Sequence, residues 1–282
     1  MCSPMSGRWS TSWRPSWPNR LRAFHLPAEP GFRLAVHRSP EGTPRAALLL
    51  LPPFAEEMNK LRRALAQAAT TFAAAGFAVL QLDLLGCGDS SGRFEDASWD
   101  IWQADVARAL AWLRQTHPGV PVLAWGIRAG CLLGQDLDWA GRLWWQPSPQ
   151  GKTVLQQFLR IRLAAEMGQA ERSTAAELKA QLTQGETVWV GGYGLRQPLA
   201  SGLEAASLAP PAGPCLWLEV QAQAEPTLLP ATQKLMQGWQ RPDLQARALS
   251  GPQAWAATEL EDCEALTAAS LNWLRQQWPE AA

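Results

Sequence analysis

The 282-residue chain has three histidines, one tyrosine and no net charge. Lys+Arg and Asp+Glu each number 25, so no global field draws the protein to nucleic acid or an anionic membrane. Five cysteines (Cys2, Cys87, Cys131, Cys215, Cys263) are odd in number and show no CxxC spacing. This argues against a disulfide framework or a zinc site and fits a reducing cytoplasm. No apolar run is long enough to span a membrane. Residues 1–20, rich in Ser, Trp, Arg and Pro, make neither a signal peptide nor a span, and are read as a frayed extension or an overextended start. No HxxEH, HxH or carboxylate–histidine cluster occurs, so neither a metal nor another cofactor is expected. The sixteen tryptophans, against seven phenylalanines, are read mainly as large apolar surface filling a core, with some lining a pocket.

Buried strands are expected at Ala46–Leu51, Phe77–Leu82, Val120–Trp125 and Arg142–Trp145, after a strand pair Leu21–Leu26 and Phe32–His37. Helices are expected at Lys60–Ala75, stopped by Gly76, and at Ser98–Gln115, capped by Ser98. That alternation argues a mostly parallel central sheet covered by helices on both faces. It breaks between Gln146 and Pro211. There, helices near Thr153–Glu166 and Thr174–Gln184 precede Thr187–Val190 and Gly191-Gly192-Tyr193-Gly194. It resumes with strands at Cys215–Val220 and Leu244–Leu249, and helices near Ala231–Trp239 and Glu261–Trp278. One α/β domain, residues 21–282, with a helical cap inserted at about 147–212, is the economical reading.

One turn stands out. The apolar run Val122-Leu123-Ala124-Trp125 leads into Gly126-Ile127-Arg128-Ala129-Gly130, followed by Cys131-Leu132-Leu133, where an apolar helix is expected. This is the strand–turn–helix setting in which an α/β-hydrolase carries its nucleophile, with small residues where the turn is crowded. Arginine occupies the apex, and a guanidinium that stays protonated cannot attack a carbonyl.

Leu51-Pro52-Pro53-Phe54-Ala55-Glu56-Glu57-Met58-Asn59-Lys60 resembles the PFAEEMNK signature of the exosortase A system-associated hydrolase 2 family, within the α/β-hydrolase superfamily. The Asp83–Gly92 loop, Trp145-Gln146-Pro147 running into Gln156-Gln157-Phe158-Leu159-Arg160, and Gly191-Gly192-Tyr193 are similar to the same family. The resemblance spans roughly residues 22–278. It implies an α/β-hydrolase fold, ester or thioester hydrolysis, and an association with PEP-CTERM protein sorting and exopolysaccharide systems, whose components are candidate partners. It implies no substrate, and oligomeric state is left open.

Acyl transfer on such a fold needs a nucleophile, an imidazole base, an orienting acid and two backbone N–H donors. Arg128 stands at the nucleophile position. Glu225, in Glu225-Pro226 after the Cys215–Val220 strand, stands at the acid position. The loop expected to hold the base, Ser250-Gly251-Pro252-Gln253-Ala254-Trp255, has no histidine. His25, His37 and His117 are read as surface or packing residues, His117 at the opposite edge of the sheet. Cys131, one turn past Arg128, lacks a neighbouring base and is read as a buried helix residue. By analogy the backbone donors would be Ala129 and Phe54 or Ala55, which with a helix N-terminus make an anion site for a small-molecule or acyl ligand. A cation there needs an acid to offset it, and Glu225, Asp89, Glu56 and Glu57 are the candidates. Two readings stay open. A fully paired Arg128 is a structural plug in a retired active site, and a free one is a receptor for an acidic ligand.

Overall fold

The computed structural model describes residues 20–167 and 172–280. The expected extension therefore falls outside the described residues, save that Arg20 already opens the first strand. The chain runs β1 (Arg20–Pro27), β2 (Phe32–Ser39), β3 (Ala47–Leu51), α1 (Glu56–Ala74), β4 (Ala78–Leu82), α2 (Trp99–Thr116), β5 (Val122–Ile127) and β6 (Gly141–Trp145). It continues as α3 (Gly151–Ala165), α4 (Ala175–Thr183), β7 (Val188–Val190), β8 (Tyr193–Leu195), α5 (Gln197–Ala205), β9 (Cys215–Gln221), α6 (Pro230–Trp239), β10 (Leu244–Ser250) and α7 (Glu264–Gln277).

Eight strands form one sheet in the order β1-β2-β4-β3-β5-β6-β9-β10. Strand β2 alone runs against its neighbours, and the rest are parallel. The register aligns Leu51 with Gly126, and Gly126 with Trp144, so the carboxyl ends of β3, β5 and β6 share one edge. Alternate residues of β3 feed opposite faces, as the period of two requires. Ala47, Leu49 and Leu51 join the core beneath α2 and the segment between β6 and β9, while Leu48 and Leu50 join the one beneath α1 and α7.

Tryptophan fills both cores as expected. Trp125 packs edge-on against Trp145 at 5.1 Å on one face, and Trp144 against Trp217 at 5.8 Å on the other. At about 25 cal/mol per Å2 over 150–250 Å2, each such ring contributes roughly 4–6 kcal/mol of transfer free energy.

Polar anchors shape the loop after β4. Arg33 Nε and Asp105 Oδ2 form a fully buried ion pair at 2.6 Å, and the same carboxylate accepts from the backbone N–H of Leu85 at 3.0 Å. Asp83 Oδ2 accepts from Asp89 N, and the Ser90 and Ser91 hydroxyls accept from the β2 backbone at Leu34 and Phe32. These contacts hold the loop against β2.

Three expectations need correction. Helix α1 starts four residues earlier than Lys60, at Glu56, because Ala55 turns the chain at φ 52° and the two glutamates then fill the first turn. No α-helix follows the Arg128 turn. The residues Arg128–Leu132 form a short 3-10 turn, and Gly134, at φ 62°, bends the chain away. Trp139 Nε1 and Gln103 Oε1 hold Gly134 there through its carbonyl and its N–H. Finally, the segment between β6 and β9 contains an additional helix, α5, and the glycine run closes the β7–β8 hairpin.

Candidate functional site

Strand β5 delivers Arg128 to the carboxyl edge of the sheet with φ 54°. A non-glycine residue in that region costs on the order of 1–3 kcal/mol, and such strain is tolerated where surrounding structure over-determines it. Here the surroundings do. A Cβ on Gly130 would lie 2.1 Å from the Leu51 carbonyl oxygen, and one on Gly126 would lie 2.9 Å from Cys131 Cα. The backbone at 126–130 is thus wedged between the end of β3 and its own next turn. Ser148 N donates to the Arg128 carbonyl at 3.2 Å, fixing the apex from the other side.

The Pro52–Ala55 loop lies against this turn, since Gly130 abuts both Leu51 and Pro52. Ala55 is buried and strained, at φ 52° and ψ −122°. The Phe54 ring turns into an aromatic cluster with Phe94 at 5.8 Å, Trp102 at 5.8 Å and Phe158 of α3 at 5.0 Å. Tyr193 of β8 packs on Phe94 at 5.0 Å and accepts from Asn59 Nδ2 at 2.7 Å. The segment between β6 and β9 therefore docks on the residues that flank the turn. Beside it lies a small cavity of about 70 Å3, lined by Pro53, Ala55, Asn59, Asp83, Cys87 and Tyr193 among others.

The Arg128 side chain is held twice. Its Nε lies 3.2 Å from Glu57 Oε1, with the two side chains 16% and 20% exposed. Its guanidinium carbon sits 5.3 Å from the centroid of the Trp255 ring. Among the described residues neither Nη group has a hydrogen-bond acceptor. Burial pushes the Glu57 carboxyl above its ordinary value, and the adjacent Arg128 charge partly opposes that. Burial likewise raises Glu56.

Of the four acids proposed to offset Arg128, the structure brings up Glu57. Glu225 is exposed in the turn after β9 and forms no ion pair among the described residues. Asp89 is exposed in its loop, where its backbone contacts Asp83. Glu56 is half-buried on α1, with Lys60 nearby. Ala129 is buried in the 3-10 turn, which is too short to carry a macrodipole of consequence. The helix end expected after Arg128 is therefore absent, and the helix end that adjoins the site is that of α1, whose first turn supplies Glu57.

The other reactive candidates are disarmed. Cys131 is fully buried, and desolvation pushes its thiol well above the ordinary range. Burial, reinforced by Asp83, pushes Cys87 up to about 12. A neutral thiol is a poor nucleophile. His25 stacks on Phe32 at 4.0 Å, and His37 and His117 contact each other.

Two residues escaped the sequence. Trp255 sits in the very loop searched for a base, and an electron-rich face opposite a cation was the available signal. Glu219 on β9 is buried, accepting from Leu229 N at 2.8 Å and Trp217 Nε1 at 3.2 Å, which ties the start of α6 to the sheet.

Structural comparison bears on the fold. Est1E from Butyrivibrio proteoclasticus, solved with ferulic acid bound, superposes with a TM-score of 0.64 at 14% identity, covering 92% of this chain and 100% of that one. A lidless α/β serine hydrolase from Xanthomonas campestris gives 0.58 at 14% identity, covering 95% and 100%. A cold-adapted esterase from an Arctic intertidal metagenomic library gives 0.52 at 15%, covering 96% and 100%. The chain has the α/β-hydrolase fold. A family model described as Serine aminopeptidase, S33 matches residues 42–137, about a third of this α/β-hydrolase-fold chain, including both the Pro52–Ala55 loop and the Arg128 turn. No curated protein matches it.

Proposed function

We propose that this α/β-hydrolase-fold protein is a non-catalytic relative of esterase-like hydrolases that binds an anionic or acyl-carboxylate ligand at the former nucleophile position. The carrying observation is Arg128 at the apex of the turn. It is anchored through Nε by Glu57 and against Trp255, with both Nη groups unpaired among the described residues. A guanidinium edge held that way is pre-oriented for bidentate contact with a carboxylate, phosphate or sulfate. Glu57 makes the charge tolerable without quenching its outer edge, so the two roles foreseen for Arg128, plug and receptor, are combined. Its resemblance to exosortase A system-associated hydrolase 2 supports an association with a PEP-CTERM sorting and exopolysaccharide system, with that system's components as partners, and the scattered cysteines without CxxC spacing support a cytoplasmic location.

The test uses purified protein beside a serine-containing relative. Expected are no fluorophosphonate labelling, no turnover of p-nitrophenyl esters, and thermal stabilisation by octanoate or phosphate that Arg128→Ala abolishes. Ester turnover sensitive to Arg128, or stabilisation unchanged by its loss, sinks the proposal. The family match favours a second reading, ester or thioester hydrolysis by another route. It requires activity that depends on Cys131 or Glu225, and the burial of the first and the exposure of the second weigh against it.

A further inference from the structure

At the edge of the sheet opposite Arg128, two imidazoles meet. His37 Nε2 on β2 lies 3.1 Å from His117 Nε2, which caps the C-terminus of α2. The ring centroids are 5.2 Å apart with planes at 41°. The nitrogen edges, not the faces, therefore approach. We propose that His37 and His117 form a two-imidazole site for a divalent transition-metal cation, which clamps β2 to the end of α2.

The spacing suits a metal. Two imidazole nitrogens each about 2.05 Å from one ion stand about 3.3 Å apart at a tetrahedral angle and about 2.9 Å at a right angle. The observed separation falls between them. In the metal-free state one ring donates its Nε2–H to the other. Metal binding needs both Nε2 lone pairs, so the donating ring moves its proton to Nδ1 and no proton need be lost. The Nε2–Nε2 contact needs an acceptor lone pair, so at least one ring already stands neutral with its nitrogen turned toward the other.

The neighbourhood supports the site with one cost. The Trp112 ring packs edge-on to His37 at 5.1 Å and limits its rotation. His117 is the C-cap of an 18-residue helix, and a helix C-terminus favours a cation. Arg22, the cross-strand partner of His37, opposes one. His117 is partly exposed, so water can complete the coordination. Because the site lies away from Arg128, its role is to pin the β1–β2 hairpin to the domain rather than to take part in ligand binding.

The test titrates chelator-stripped full-length protein with Zn2+ and Ni2+ by calorimetry, and examines the Cu2+ complex by electron paramagnetic resonance. Expected are one strong equivalent, a raised melting temperature, and nitrogen superhyperfine splitting from two imidazoles. His117→Gln, a partly exposed position, should weaken binding by about tenfold or more, and His37→Ala likewise, while Arg128→Ala leaves it unchanged. Equal binding by wild type and His117→Gln, or a copper spectrum without two-nitrogen coordination, overturns the proposal.

Discussion

Arg128 Nε and Glu57 Oε1 stand 3.2 Å apart, joining the apex of the β5 turn to the first turn of α1. The two residues are 71 positions apart in the chain, and the pair forms only because β3 and β5 are hydrogen-bonded neighbours with Leu51 opposite Gly126. Each side chain is mostly removed from water, so losing one partner leaves the other desolvated and uncompensated. Arg128→Ala should therefore destabilise the fold by about 1–3 kcal/mol, below the full cost of breaking a wholly buried pair. Glu57→Gln should cost less, because an amide still accepts from Nε. Urea denaturation of both variants and the double variant checks this, and additive single effects would show that the pair is not coupled.

Restoring serine at the apex tests what else is missing. Arg128→Ser should produce a folded protein with background ester turnover and no fluorophosphonate labelling. The residue facing that apex from the loop after β10 is Trp255, and His25, His37 and His117 are all engaged elsewhere. A serine without a base remains a weak nucleophile. Turnover well above the wild-type background would reveal a proton acceptor that the present geometry does not supply.

The sheet and most helices were legible because their signals are local: continuous apolar runs for buried parallel strands, and the Ser98 cap for α2. The crowded turn was legible from Gly126 and Gly130. The partner of Arg128 was not, because α1 was read as starting at Lys60. Glu57 was then one acid among four, read equally well as a helix N-terminal acid favourable to the dipole. The 3-10 turn after Arg128 was masked by the apolar run Cys131-Leu132-Leu133, which suits a helix and is here packed into a core instead. Gly134 in the left-handed region, held by Gln103 and Trp139 from elsewhere in the fold, decides the outcome.

Ala55 offers a stabilising change. Its φ of 52° and ψ of −122° suit glycine, and relief of strain on the order of 1–3 kcal/mol should exceed the 0.4–1 kcal/mol that glycine costs through unfolded-chain entropy. Ala55→Gly should therefore raise stability by about 1 kcal/mol. A lower melting temperature would mean that the methyl group's packing beside the turn outweighs the strain.

The Arg33–Asp105 pair sets the loop that follows β4. Both side chains are fully buried, and Asp105 also receives the Leu85 N–H. Asp105→Ala should cost about 3–5 kcal/mol by leaving a buried guanidinium without its anion. Hydrogen exchange should accelerate first at residues 83–92. Uniform loss of protection would instead place the pair in the global unfolding unit.

Glu57 also sets a pH dependence. Burial raises its carboxyl above the ordinary 4.5, so the folded state holds the proton more tightly than the unfolded chain does. Below about 4.5 both states are protonated and Glu57's contribution to stability is fully present. As pH rises through the folded value, the unfolded chain has already ionised and that contribution is lost. Arg128 limits the loss by stabilising the carboxylate. In Arg128→Ala the carboxyl should shift further up and the loss should grow, so the stability gap to wild type should be wider at pH 7.5 than at pH 4. Glu56 is raised in the same direction and adds a shared slope to both proteins, which the difference removes. Urea midpoints at the two pH values check the sign. A gap that stays constant, or widens on acidification, would mean that Glu57 is not the group whose ionisation Arg128 supports.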